Sequence, residues 1–178
     1  MTSNLQKVPF TQELLPLVQD FECGDQVYEV EVSDWIKNKG PGCVIDAMER
    51  WGTQVWLYVN EQTELVGFGS LGKTKWYWPA PSDKRVTVNL TPSLGIRSCF
   101  KGQPSGPPEG RYSTPIILDL IAAGRGITGV NPVLGLFVHP ENEAAMRLYK
   151  RVGFAHFHQR SKGDDPGVEY IGMILRLD

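Results

Sequence analysis

The chain has 178 residues and a formal net charge of -2, with 41% hydrophobic and 21% charged residues. That is enough chain for one well-buried core and too little for two ordinary domains, and the composition is that of a globular protein rather than a disordered or fibrous one. No window approaches the roughly 18 apolar residues of a spanning helix, and the first residues lack the basic region and apolar stretch of a signal peptide, so a single cytoplasmic domain over 1–178 with no membrane partner is expected. Cys23, Cys43 and Cys99 are odd in number and show no zinc spacing, which favours reduced thiols and no metal site.

Charge is unevenly spread. Residues 1–34 hold seven acids against Lys7 alone, and the remainder holds 17 bases against 13 acids, concentrated at Lys73, Lys75, Lys84, Arg85, Arg97, Lys101 and Arg111. Such a centre suits a polyanionic ligand or is simply a solvated basic surface.

In chain order, Leu14–Val18 and Ser33–Met48 carry short, interrupted helical patterns. Ser33 or Asp34 is a candidate cap, and Gly40-Pro41-Gly42 breaks the second region. From Gln54 the pattern becomes strand-like: residues 55–60, a turn at Glu61–Glu64 and residues 65–78 predict an antiparallel hairpin. After the Pro79–Asp83 loop, residues 85–96 read as a further strand, with Thr91-Pro92-Ser93 marking a bulge or an edge. A glycine- and proline-rich segment follows. Thr114 as N-cap and Pro115 at the first helical position then predict a helix ending at Gly124. A strand, a glycine-bearing loop and a helix N-terminus make either an anion site or an ordinary crossover.

The most informative run is Leu136–Phe154, LFVHPENEAAMRLYKRVGF. Leu136, Phe137 and Val138 end a strand that His139-Pro140 stops. Asn142 caps a helix, Glu143 sits in its first turn, Lys150 and Arg151 in its last, and Gly153 supplies the left-handed stop. Ala145, Leu148, Tyr149 and Val152 share one face, so Tyr149 points inward with the core and its hydroxyl needs a partner. Residues 154–160 and 168–177 close the chain as two strands around the Lys162–Gly167 turn.

The segment VHPENEAAMRLYKRVGF resembles the "V-x-P-x-N-x-x-A-x-x-L-Y-x-x-x-G-F" signature of the GNAT acetyltransferase superfamily, and the order of predicted elements matches that family over nearly the whole chain. The resemblance implies an α/β fold with a mixed, mostly antiparallel central sheet flanked by helices and strands splayed around the cofactor. It implies an N-acetyltransferase that moves an acetyl group from acetyl-CoA to a primary amine by direct attack on the thioester. In that scheme Tyr149 is the general acid for the departing thiolate, against a reading as a core tyrosine. Asn142 faces the pantetheine, against a reading as a simple cap. Leu94, Gly95 and Ile96 match the strand that lends backbone groups to the pantetheine. The phosphate loop departs from the family pattern, with PSGPPEG inserted and Arg111 and Ser113 where glycines usually stand. The amides of Gly110, Arg111, Tyr112 and Ser113, with the Ser113 and Thr114 hydroxyls, remain the expected pyrophosphate site, and weak or altered CoA binding is the other outcome.

Many family members carry a glutamate base on the fourth strand, yet residues 85–97 contain no Asp or Glu. Deprotonation then falls to water, to Glu31 or Asp34, or is unnecessary for an amine of low pKa; His139 reads as a strand-end residue more than a base. The expected acceptor is a small-molecule or peptide amine. Phe21-Glu22-Cys23-Gly24 is similar to the F-x-C-G opening of the toxin branch, which acetylates aminoacyl-tRNA, so tRNA is the alternative partner, and the basic centre with Trp76, Tyr77 and Trp78 suits RNA. A degenerate, non-catalytic acyl-CoA-binding domain is the third reading, and a homodimer is compatible with all three.

Overall fold

The computed structural model describes residues 5–78, 84–104, 111–162 and 167–178. Its strands are β1 (Gln6–Pro9), β2 (Gln54–Val59), β3 (Leu65–Trp78), β4 (Lys84–Thr91), β5 (Leu94–Ile96), β6 (Asn131–Val138), β7 (Ala155–Lys162) and β8 (Glu169–Arg176). The α-helices are α1 (Val27–Lys37), α2 (Val44–Trp51), α3 (Ser113–Arg125) and α4 (Glu143–Arg151), with 3-10 turns at Gln12–Val18 and Ser98–Phe100. Contacts group these into two compact units, Met1–Ser70 with Ser93–Asp119 and Leu71–Pro92 with Leu120–Asp178.

In the first unit β1 pairs antiparallel with β2, and β2 turns into β3 through a tight loop in which Asn60 Oδ1 accepts the Glu64 N–H at 2.8 Å. β1 escapes the sequence pattern because four residues ending in proline cannot display a period of two. α1 also begins earlier than expected. Glu29 Oε2 accepts the Gln26 N–H at 3.1 Å and fixes the helix start at Val27. Ser33 is therefore not a cap: it lies mid-helix, its hydroxyl donating to the Glu29 carbonyl at 2.8 Å and accepting the Cys23 N–H at 2.9 Å. α2 ends at Gly52, in the left-handed region at φ 62°. The core of this unit gathers Phe10, Val18, Phe21, Ile36, Leu57 and Phe68.

In the second unit the strand order is β3-β4-β6-β8-β7, antiparallel except for the parallel pair β4 and β6. That parallel pair requires a crossover, which α3 supplies between the two strands in the sequence. Trp76 fills the middle of this unit at 2% exposure, with Phe137 and Phe157 at 5.2 and 5.4 Å between ring centroids. Its ring lies directly on Gly135, where an added Cβ would stand 2.6–2.9 Å from three ring carbons.

Residues 85–96 were expected as one bulged strand and are two. β4 pairs with Gly72–Trp78 of β3, whereas β5 pairs with Gly67–Gly69. The physical reason is Pro92, which has no N–H to continue a ladder. Among the described residues no helix is long and apolar enough to cross a membrane.

Gly135→Ala is expected to destabilise the protein by about 1–3 kcal/mol through overpacking against Trp76. Gly40→Ala, whose Cβ would meet nothing within 4 Å, should stay within about 0.5 kcal/mol of wild type. Urea unfolding of the two variants checks the contrast.

Candidate active site

The break between β4 and β5 is closed by one side chain of the first unit. Ser70, fully buried on β3, donates its hydroxyl proton to the Ser93 carbonyl at 2.5 Å, and its oxygen accepts the Ser93 N–H at 2.9 Å. Both polar groups that the break would strand are thereby satisfied. The backbone beyond it follows the antiparallel alternation. Arg97 N–H donates to the Val66 carbonyl at 2.8 Å, and Phe68 stands opposite Gly95. The N–H and C=O groups of Leu94 and Ile96, at the intervening positions, therefore point away from β3. Gly95 turns its bare Cα into the core: an added Cβ would lie 2.6 Å from Phe68, 2.8 Å from Val32 and 2.9 Å from Cys23. Of the family-derived trio, Gly95 serves packing, while Leu94 and Ile96 carry the outward backbone edge.

Cys23 flanks that edge. Burial pushes its thiol up to about 11, partly offset by the adjacent Ser33 hydroxyl, the Lys101 charge and the Ile96 N–H. At such a pKa it stays a thiol at neutral pH. Cys23, Cys43 and Cys99 form no disulfide.

The loop residues meet β5 through a small apolar cluster in which Ile96 and Ile116 of α3 pack with Leu94 and Phe100. α3 starts at Ser113, two residues before the expected first helical position at Pro115. Thr114 is thus not the cap; its N–H donates to the Arg111 carbonyl at 3.0 Å. Pro115 still lies in the first turn, where a missing N–H costs nothing. Arg111 is exposed and pairs as an antiparallel bridge with Pro104, and Tyr112 sets its ring edge-on to Phe100 at 5.5 Å. The structure so brings Arg111, Tyr112, Ser113 and Thr114 to the start of α3. Gly110 lies outside the described residues.

In the second unit, α4 is built as its sequence requires. Asn142 Oδ1 accepts the Ala145 N–H at 3.1 Å, and Arg147 pairs with Glu143 at 3.0 Å one turn earlier. Asn142 thus acts as a helix cap through its oxygen. Tyr149 is 8% exposed, with Phe154 at 5.8 Å. Burial alone pushes its hydroxyl up to about 12, and its oxygen is not one of the fully buried polar atoms left without a partner among the described residues. It is a protonated donor. His139 is 3% exposed, its Nδ1 accepts the Glu141 N–H at 3.2 Å, and its ring packs edge-on to Tyr170, which is the strand-end role read from the sequence.

Two buried hydroxyl oxygens, Thr91 Oγ1 in the second unit and Ser93 Oγ in the first, have no partner among the described residues. The outward backbone N–H and C=O of Leu94, in the first unit, are groups that the amide-rich pantetheine arm of acetyl-CoA would fit.

The expected bases fare differently. Asp34 forms only an exposed pair with Lys37 at 3.8 Å. Two carboxylates reach the segment after β5: Asp20 pairs with Arg97 at 2.5 Å, and Glu29 pairs with Lys101. Sequence reading missed the latter, although the spacing Gln26-x-x-Glu29 is that of a helix-start box with glutamine in the Ser/Thr place.

The chain matches no family model, and no curated protein is significantly similar to it in sequence. Solved structures, by contrast, match nearly throughout. A bacterial toxin superposes with a TM-score of 0.69 at 14% identity over 97% of this chain and 90% of that one. The spermidine/spermine N-acetyltransferase SpeG from Vibrio cholerae gives 0.61 at 13% identity over 98% and 94%. Arabidopsis thaliana NAA60, solved with a bisubstrate analogue, gives 0.61 at 16% identity over 98% and 99%. A tyrosine-to-phenylalanine mutant of the toxin AtaT has also been solved with acetyl-CoA and the C-terminus of the antitoxin AtaR. The chain therefore has the fold of the GNAT acetyltransferases.

Ser70→Ala is expected to cost about 1–3 kcal/mol, because it leaves the Ser93 N–H and C=O buried without a partner. Ser70→Thr, which keeps the hydroxyl, should recover part of that loss in the same denaturant titration.

Proposed function

We propose that the protein is an acetyl-CoA-dependent N-acetyltransferase that acts on a primary amine. The observation that carries this reading is Tyr149, a buried tyrosine on a capped helix whose hydroxyl is held protonated. The outward backbone of Leu94 supports a pantetheine partner. Arg111, Tyr112, Ser113 and Thr114, at the positive end of the α3 dipole, support the pyrophosphate. In this scheme the amine nitrogen bonds to the acetyl carbon, the carbon–sulfur bond breaks, and Tyr149 passes its proton to the leaving sulfur. The proton shed by the ammonium goes to solvent, from which Tyr149 is replenished. A thiolate leaving into apolar surroundings has its own pKa raised, which brings it nearer to that of the buried tyrosine.

A second reading is favoured by the likeness to bacterial toxins. The Phe21, Cys23 and Gly24 positions similar to the toxin branch pack tightly here: Phe21 is fully buried and Cys23 is 3% exposed. In that reading the acceptor is the α-amine of an aminoacyl-tRNA, which needs less help from a base. An acetylation panel of polyamines, peptides and charged tRNA separates the two.

Acetyl-CoA should raise the melting temperature of the wild type, as binding to the native state requires; no rise would sink the acetyl-transfer reading. Tyr149→Phe should lower kcat by about 100-fold or more with acetyl-CoA affinity nearly unchanged, as separate turnover and calorimetric measurements would show. Because the acid form is the active one and the hydroxyl is pushed up to about 12, kcat should show no loss through tyrosine ionisation near pH 10. A fall near pH 10 that Tyr149→Phe abolishes would contradict the assignment.

A further inference from the structure

The ion pair between Glu29 and Lys101 stands where the two halves of the proposed chemistry would have to communicate. Glu29 belongs to the first turn of α1, and its carboxyl group lies so tightly over Gly24 that a Cβ at that position would collide with it. It also lies within electrostatic reach of Cys23, whose sulfur takes the Ile96 N–H of β5. Lys101 follows the 3-10 turn Ser98–Phe100. Its neighbours on either side contact the start of α3, Phe100 through Tyr112 and Pro104 through Arg111. The lysine side chain is 40% exposed and that of Glu29 20%. A lysine is a point charge on a flexible four-carbon stem, so its ammonium can change partner without moving the backbone.

We propose that Lys101 is a shared cation. Glu29 holds it in the cofactor-free protein, and the pyrophosphate of acetyl-CoA takes it when the cofactor binds at the start of α3. This rests on the acetyl-CoA reading above. A pyrophosphate offers more charge and more acceptor oxygens than one carboxylate, so it wins the ammonium. The exchange leaves Glu29 as a largely buried anion beside β5 with no counter-charge, an unfavourable state that another cation relieves. The ammonium of the acceptor amine is such a cation. Binding is thereby ordered: the cofactor opens the acceptor's carboxylate, and the chain supplies by folding the acidic group that its fourth strand lacks.

Calorimetric titration of the full chain with CoA and, separately, with acetylpantetheine tests this without turnover. Glu29→Gln keeps the side-chain oxygen that anchors the start of α1 while removing the charge. It should bind CoA about two- to five-fold more tightly than wild type, the scale of a partly exposed ion pair. Lys101→Ala should bind CoA about ten-fold more weakly, the scale of one charge-assisted contact, and adding Glu29→Gln to it should change nothing more. Acetylpantetheine, which lacks the pyrophosphate, should not distinguish the variants. Unchanged CoA affinity in Glu29→Gln, an equal gain in both backgrounds, or the same shifts with acetylpantetheine would each overturn the exchange. Failure of the wild type to bind either probe would overturn the acetyl-transfer reading and the exchange with it.

Discussion

The two hydrogen bonds between Ser70 and Ser93 are the constraint on which the candidate site depends. Pro92 forbids the strand from continuing, and a broken strand inside a protein strands backbone donors and acceptors at about 1–3 kcal/mol each. One hydroxyl meets both needs, because a serine oxygen can donate once and accept at the same time. With the break secured, β5 takes its own short register on β3, and the bonded Gly95 pair fixes the parity that turns Leu94 and Ile96 outward. Had the strand run on unbroken, the same residues would have been consumed in a ladder.

How much of this was legible depended on how local its cause was. The α4 helix was read to the residue at its cap because Asn142, Glu143, Lys150, Arg151 and Gly153 each act within one turn of themselves. The hairpin of β2 and β3 was legible for the same reason, its turn residues lying between two periodic runs. β1 was not, being too short to show a period. Ser70 was not either, because its partner lies 23 positions away and a serine in an apolar run carries no local sign of its bond. Glu29 was half legible: its spacing from Gln26 announced a helix start, but only tertiary packing brings Lys101 to it from 72 positions away.

The conserved-looking signature also divides once its contacts are known. Asn142 gives one lone pair of its oxygen to the Ala145 N–H, and its amide NH2 and the second lone pair remain for other partners. Tyr149 packs its ring on Phe154, and burial keeps the proton on its oxygen. Groups whose pKa burial shifts recur where a proton has to be delivered. The asymmetry between the two residues is chemical, and it favours Tyr149 as the group that acts and Asn142 as the group that holds the helix in place.

The departure of the phosphate loop from the GNAT pattern is less disruptive than its sequence suggests. The chain leaves at Pro104 and returns at Arg111, and these two residues pair with each other, so the approach to α3 is restored at the point where it was interrupted. Glycines at this position normally let a backbone come close to phosphate. On the proposed reading charge stands in for that closeness, with Arg111 just before α3 and Lys101 ten residues earlier. Charge acts at longer range than a backbone amide and is screened by salt, so a cofactor held this way would bind with a steeper salt dependence than one cradled by glycines. A site held by charge would respond to other charges nearby, which a glycine loop would ignore, and Glu29, paired with Lys101, is one such charge.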